Sequence, residues 1–238
     1  MIGTWQLSAD YFEIPKYIAP SPYDVLQILI TEWTLLLDHL LPTLFESVAG
    51  FCIGNLVAIS LAVLFVHNQF AERAIFPITV FINTIPILAI APILVLIFGL
   101  GILPKVIIAA LICFFPTLVN MVRGLKAVSP ETLDLMRILS ASRSEVFWYV
   151  RIQSSLPFLF AALKIATTTC VIGAIVGEWI GADKGLGVLI LDATFNFRSA
   201  LLYATVLMSS GLAVLLFFLV SLVEKRVVKW RVDSSVPA

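Results

Sequence analysis

Residues 123–155, RGLKAVSPETLDLMRILSASRSEVFWYVRIQSS, form a polar and basic segment between two long apolar runs. Ser129 followed by Pro130 predicts the start of a helix, because a serine side chain caps free backbone N–H groups and proline is tolerated at the first helical position. Ser142 with Glu145 three residues later has the form of a capping box, which predicts a second helix. We name this stretch the basic segment and predict that it is a helix–break–helix unit.

The basic segment is a candidate docking surface for another protein. Residues 146–148 of its second half, Val-Phe-Trp, are too hydrophobic for a loop that only meets water. The alternative is an interfacial linker that lies on lipid headgroups.

The composition of the chain indicates an all-α, polytopic membrane protein. The chain is 61% hydrophobic and 13% charged, whereas soluble domains carry about 25% charged residues. Several apolar runs reach the roughly 20 residues that a membrane-spanning helix needs. We therefore expect residues 1–238 to form a single transmembrane domain. The net charge of zero says nothing about partners.

Hydropathy predicts about five spans. They are residues 47–66, 75–100, 106–122, 158–180 and 200–223.

An acidic segment, residues 1–46, precedes the first predicted span. Apolar residues at helical spacing between positions 23 and 40 predict an amphipathic helix lying along a surface. Lys and Arg residues in the loops predict the orientation, because cytoplasmic loops are enriched in them. Ten basic residues lie on the side of the basic segment and four on the opposite side. The basic segment and the tail 224–238 are thus predicted to be cytoplasmic, and residues 1–46 external.

The second and fourth predicted spans carry polar residues. Prolines interrupt the second span, so we expect it to be interior, where neighbours or a wet cavity satisfy the freed backbone groups. In the fourth span Lys164, Thr167 and Glu178 share one helical face with small residues, which predicts an inward face towards a helix or a pathway. Snorkelling of the lysine and the glutamate to opposite interfaces is the alternative. The candidate pathway or gate residues are Asn83, Thr84, Pro86, Thr167, Thr168 and Glu178.

Catalytic and metal-binding patterns are absent from the sequence. No GxxxxGK[ST] phosphate loop occurs, and the two histidines, His39 and His67, are predicted to lie on opposite sides of the membrane. The three cysteines, Cys52, Cys113 and Cys170, stand far apart in apolar runs and are interpreted as small core residues. The remaining classes are a transporter component, a channel and a membrane scaffold.

The basic segment resembles the cytoplasmic loop of permease subunits in binding-protein-dependent ABC importers. The signature of that loop is EAA, three residues, Gly, nine residues, then I-x-L-P. Here residues 134–136 stand at EAA, Ser140 at the glycine, and Val150, Ile152 and Gln153 at the I, L and P positions. The spacing is kept although several residue types differ. A serine at position 140 is expected to stiffen the hinge if that position adopts positive φ.

Two further stretches resemble the same family. Residues 171–187, VIGAIVGEWIGADKGLG, are similar to the segment closing the fifth span in importers of nitrate, sulfonates, taurine, riboflavin and pyrimidine precursors. Residues 19–22, APSP, are similar to the Pro-Ser-Pro stretch that follows the first span of those proteins. Together the resemblance covers nearly the whole chain.

The resemblance implies a type I ABC importer permease fold in the cell (inner) membrane, with cytoplasmic coupling helices. Relatives usually have six spans, the first ending just before Trp5, so we expect either that the true chain begins upstream or that this member has lost a span. The basic segment would dock on a cytoplasmic ATPase, which binds the ATP and Mg, while this chain binds no cofactor and is no enzyme. The implied docking residues are Glu131, Asp134, Met136, Ser140, Ala141, Ser142, Arg143 and Val150.

The resemblance also implies partners and a substrate class. A second permease copy, an external or periplasmic substrate-binding protein and membrane lipid are expected, and nucleic acid is not. The sequence of residues 171–182 resembles permeases for thiamin-type pyrimidine precursors or riboflavin more closely than it resembles permeases for sulfonates. The alternatives are a nitrate, sulfonate or taurine permease, and an ATP-independent channel or scaffold.

Overall fold

The computed structural model describes residues 18–228, and this part of the chain is built from helices. The predicted all-α class is confirmed. The expectations about a missing first span and about the tail beyond residue 228 lie outside the described residues. In chain order the helices are α1 (Pro22–Thr31), α2 (Trp33–His67), α3 (Gln69–Thr84), α4 (Ile87–Phe98), α5 (Ile102–Lys126), α6 (Pro130–Ile138), α7 (Arg143–Glu178), α8 (Leu186–Phe195) and α9 (Ser199–Val227).

Within residues 18–228 there are four candidate spans, or the predicted five if one bent helix pair is a single span. Helices α2, α5, α7 and α9 are each long and apolar enough to cross a membrane. The pair α3 and α4 would be a fifth span, broken by a bend of 99°.

Helix α2 is longer than the predicted first span. It has 35 residues, which makes it about 52 Å long at 1.5 Å per residue, against about 30 Å of bilayer hydrocarbon. The amphipathic helix predicted over 23–40 is not one element, because Glu32 divides it between α1 and α2. Hydropathy locates the uninterrupted apolar window of a helix, whereas the earlier apolar turns of α2 are interrupted by Asp38, His39 and Glu46.

Helix α5 is the centre of the bundle and packs between α2 and α7. Glycines allow these backbones to approach closely. A Cβ atom at Gly50 would stand 2.4 Å from Ala109 Cβ, and one at Gly173 would stand 2.7 Å from Ala109 Cα. Glycines on α2 and α7 thus form the helix contacts with α5.

Replacing Gly54 with alanine is expected to destabilise the bundle by about 1–3 kcal/mol, the usual cost of overpacking. The new Cβ would lie 2.5 Å from the Ala110 carbonyl oxygen and 2.7 Å from Cys113 Sγ. The matched control is Gly211→Ala in α9, where no atom lies within 4 Å of the added Cβ and alanine favours a helix by about 1 kcal/mol. Thermal unfolding in nanodiscs measures both; equal midpoints for the two variants would contradict the packing.

The second span is not interior within this chain. Among the described residues of α3 and α4, only Thr79 and Ala91 are buried, and large apolar side chains such as Phe81 and Leu96 are exposed. The break falls at Ile85 and Pro86, whereas Pro77 and Pro92 lie inside α3 and α4. The prolines predict that some backbone groups lose their hydrogen bonds within the helix. They do not predict whether the groups that pack there belong to the same chain.

The polar face of the fourth span points inward, as predicted. Thr167 and Glu178 of α7 are each 1% exposed. Lys164 instead pairs with Glu224 of α9, and this ion pair is partly exposed. Snorkelling is thus wrong for Glu178, which is enclosed by protein.

The cysteine interpretation holds for two of the three residues. Cys113 and Cys170 are buried, but Cys52 is exposed on α2. The apolar run around Cys52 belongs to a face of α2 that this chain leaves uncovered.

Candidate functional site

The first half of the basic segment is helix α6, which begins as predicted. Ser129 Oγ accepts a hydrogen bond from the Thr132 backbone N–H at 3.3 Å. The helix is closed by the Ala141 N–H, which donates to the Met136 carbonyl oxygen at 2.9 Å. Ser140 between them has φ of 55°, a left-handed conformation that glycine adopts more readily. Because position 140 does adopt positive φ, we expect the serine to stiffen this turn.

The second half begins with the predicted capping box. Glu145 Oε2 accepts the Ser142 backbone N–H at 2.7 Å, and Ser142 Oγ accepts the Glu145 N–H at 3.3 Å. This helix continues through a π-helical turn, Val146–Arg151, into the fourth span. The second helix of the predicted unit is thus the start of α7.

Helix α6 leaves an apolar surface uncovered. It has no buried residue, and Ile138 is 80% exposed. Asp134 and Arg137 form an exposed ion pair of 2.8 Å. Of the implied docking residues, Glu131, Asp134, Ser140, Ser142 and Arg143 are exposed, whereas Met136, Ala141 and Val150 are half-buried.

A basic recess of about 540 Å³ lies between α6 and the end of α2. Arg137, Arg143, Arg151 and His67 all line it. Arg151 Nη1 also donates to the Leu125 carbonyl oxygen at 2.9 Å, which ties α7 to the end of α5. The recess concentrates positive charge at the predicted cytoplasmic end.

A buried polar cluster lies at the opposite end of the bundle. Glu178 Oε1 accepts the Thr43 hydroxyl at 2.5 Å, and Oε2 accepts the Gly187 N–H at 2.6 Å. Thr43 Oγ1 in turn accepts the Leu186 N–H at 2.8 Å. The glycine-rich loop before α8 is thus held against α2 and α7. A Cβ at Gly185, where φ is 138°, would stand 2.2 Å from the Glu178 carboxyl group.

An ion pair extends this cluster towards α5. Lys105 Nζ lies 3.2 Å from Glu46 Oε1, with side-chain exposures of 11% and 2%. Lys105 also packs against α7, since a Cβ atom at Gly177 would stand 3.0 Å from Lys105 Cα. Within residues 18–228, Glu46 Oε2 has no hydrogen-bond partner. We name Thr43, Glu46, Lys105 and Glu178 the outer cluster.

The sequence identified only Glu178 of the outer cluster. Glu46 is the last residue of the predicted external acidic segment, and Lys105 lies between the predicted spans 75–100 and 106–122. The sequence does contain one signal for this ion pair, because Glu46 and Lys105 both lie at the edge of a predicted span and on the same predicted side of the membrane. Pairing them required the packing of α2 against α5.

The candidate pathway residues separate into two places. Asn83, Thr84 and Pro86 line one cavity of about 300 Å³ at the break between α3 and α4. Thr167 is buried, while Thr168 is exposed and donates to the Ile165 carbonyl oxygen at 2.8 Å. Neither threonine lines the cavity, and Glu178 belongs to the outer cluster.

The model of one protein family, described as "Binding-protein-dependent transport system inner membrane component", matches residues 54–229. The chain belongs to this family of ABC importer permeases. The permease is thus a multi-pass protein of the inner membrane, and the resemblance drawn from the basic segment and residues 171–187 is confirmed.

Curated relatives cover nearly all of the permease. A probable ABC transporter permease protein of Haemophilus influenzae is 34% identical over 92% of this chain and 89% of its own. The formylaminopyrimidine transport permease ThiX of Halalkalibacterium halodurans is 34% identical, covering 95% and 91%. The riboflavin transport system permease RibX of Chloroflexus aurantiacus is 32% identical, covering 95% and 85%.

A solved structure supports the fold. A chain of the MetNI methionine ABC transporter, in an inward facing conformation, superposes with a TM-score of 0.66. It is 20% identical and covers 83% of the permease and 96% of its own length. The predicted type I importer fold is confirmed.

Proposed function

We propose that this permease is the translocating subunit of an importer driven by ATP hydrolysis on a separate cytoplasmic chain. The observation that carries the proposal is helix α6, which lies between two spans without a buried residue and exposes apolar side chains. An exposed apolar surface rimmed by polar groups is typical of a protein–protein interface. The basic segment would dock there on the ATPase, which supplies the ATP and Mg site.

The proposed assembly contains a second permease copy and an external binding protein. The exposed apolar surface of α3 and α4 supports a further membrane partner, because the bend at Pro86 would otherwise face only lipid. Backbone at a helix break is tolerated in a membrane where protein or a water-filled path adjoins it. Two copies facing each other across these breaks would form the path.

The proposed substrate is a small pyrimidine precursor or a riboflavin-like molecule. The ThiX and RibX relatives support this class, with 34% and 32% identity. An aliphatic sulfonates permease of Bacillus subtilis is 24% identical, so an anion importer is the second candidate. The helix-break cavity favours the first, because its lining residues carry no charge.

Reconstitution tests the import proposal. The permease, its ATPase and its binding protein are placed in liposomes, and ATP hydrolysis and uptake of a formylaminopyrimidine are measured. We expect both rates to rise when binding protein and solute are present together. Solute flux without ATP, with no ATPase bound to the permease, would instead indicate a channel or scaffold.

A further inference from the structure

The helix-break cavity lies between the break in the second span and the middle of α5. Its wall on α5 is formed by Leu111, Ile112, Phe114 and Phe115, and position 114 is the central residue of that 25-residue helix. The opposite wall is the end of α3 and the start of α4. Discontinuous helices at mid-membrane depth are where transporters often bind their solutes.

Polar groups converge on the break. At the end of α3 the Ile82 carbonyl oxygen accepts the Ile85 N–H at 3.2 Å, whereas within residues 18–228 the carbonyl groups of Asn83 and Thr84 have no backbone partner. The Asn83 side-chain amide, which lines the cavity, makes no hydrogen bond to any residue between 18 and 228. Thr84 Oγ1 donates to the Phe81 carbonyl oxygen at 2.7 Å, so that its lone pairs stay available. The side-chain amide of asparagine can donate hydrogen bonds from its NH₂ group and accept them at its carbonyl oxygen.

The remaining lining selects against charge, and the part of the cavity that one chain encloses fits a single ring. It is mostly aliphatic, with two phenylalanine rings and no ionisable side chain. An anion would lose its hydration here without gaining a cationic partner. The volume of about 300 Å³ stands at the lower end of small-molecule sites, which span about 300–1,000 Å³.

We propose that this cavity is a substrate-contact site within the membrane, selective for an uncharged, single-ring nitrogen heterocycle. Asn83 pairs with the donor–acceptor edge of the ring, and Phe114 and Phe115 contact its apolar face. A lipid chain would leave the amide unpaired in an apolar environment, which favours a solute with hydrogen-bonding groups. The inference rests on the proposed import function and narrows its substrate class from pyrimidine or flavin to the smaller pyrimidine.

Direct binding tests this site separately from import. The permease–ATPase complex in nanodiscs, without the binding protein, is dialysed against a radiolabelled formylaminopyrimidine, riboflavin or taurine. We expect saturable binding of the pyrimidine alone. Asn83→Ala should weaken it about tenfold, the effect of one lost hydrogen bond to a ligand, and Phe115→Leu should weaken it as well.

Ser210→Ala is the matched control, since this exposed α9 serine bonds only the Val206 carbonyl oxygen of its own helix. It should bind like the parent permease. Equal binding by the Asn83→Ala variant and the parent, no binding of the pyrimidine, or preference for taurine would each overturn the site. ATP hydrolysis stimulated by the binding protein, measured in the same nanodiscs, reports on the import function independently of these outcomes.

Discussion

Replacing Glu178 with alanine is expected to lower the free energy of unfolding of the permease by about 3–5 kcal/mol. The substitution removes the acceptor for the Thr43 hydroxyl and the Gly187 N–H, both of which are buried. Unfolding in mixed micelles, followed by tryptophan fluorescence, measures the change.

Asp38→Ala is the matched control for this prediction. Asp38 pairs with Lys184 at 2.6 Å at the same end of the bundle, but both side chains are more than half exposed. Exposed ion pairs contribute about 0–1 kcal/mol. Glu178→Gln keeps the side-chain volume and one acceptor oxygen and should fall between the two. A loss for Glu178→Ala no larger than for Asp38→Ala would show that the outer cluster does not hold the bundle together.

Reversing the charge of Arg143 is expected to abolish most of the ATPase stimulation by the binding protein. Arg143 is exposed at the first turn of α7 and lines the basic recess. An acid in the first turn of a helix is favourable, so the Arg143→Glu variant should fold normally. Like-charge contacts at an interface cost several kcal/mol, and 1.4 kcal/mol is already about tenfold in affinity. Stimulated hydrolysis in liposomes should therefore fall about tenfold or more.

Arg73→Glu supplies the comparison for this second prediction. Arg73 is also exposed and lies at the predicted cytoplasmic end, but outside the basic segment. The same change of charge there should leave stimulation near that of the parent permease. Equal stimulation in both variants would contradict docking through the basic segment.

Local signals in the sequence predicted the basic segment well. The caps at Ser129 and Ser142 depend on residues three positions away, so the pattern contains both partners. The inward face of α7 was equally accessible, because helical periodicity places Thr167 and Glu178 on one side. The chemistry of these residues alone left two alternatives, a docking surface and a linker on lipid headgroups. The resemblance to the family signature favoured the docking surface.

The outer cluster required tertiary information. Thr43 and Glu178 are 135 positions apart, and no periodicity relates them. The exposure of the second span could not be predicted from the sequence either. An apolar side chain is expected at such a position whether it faces lipid, a second chain or its own bundle. The extension of α2 to Trp33 was missed by hydropathy because Asp38, His39 and Glu46 interrupt the apolar residues of its outer turns.

The unbroken path of α7 from Arg143 to Glu178 has a mechanical consequence. Its 36 residues form a rod about 54 Å long, so a tilt of about 5° imposed at one end displaces the other by about 5 Å. The π-helical turn lies near the Arg143 end, so nearly all of the length beyond it is regular helix. A tilt imposed on α7 beside the basic recess would therefore move the glycine loop at the other end of the bundle.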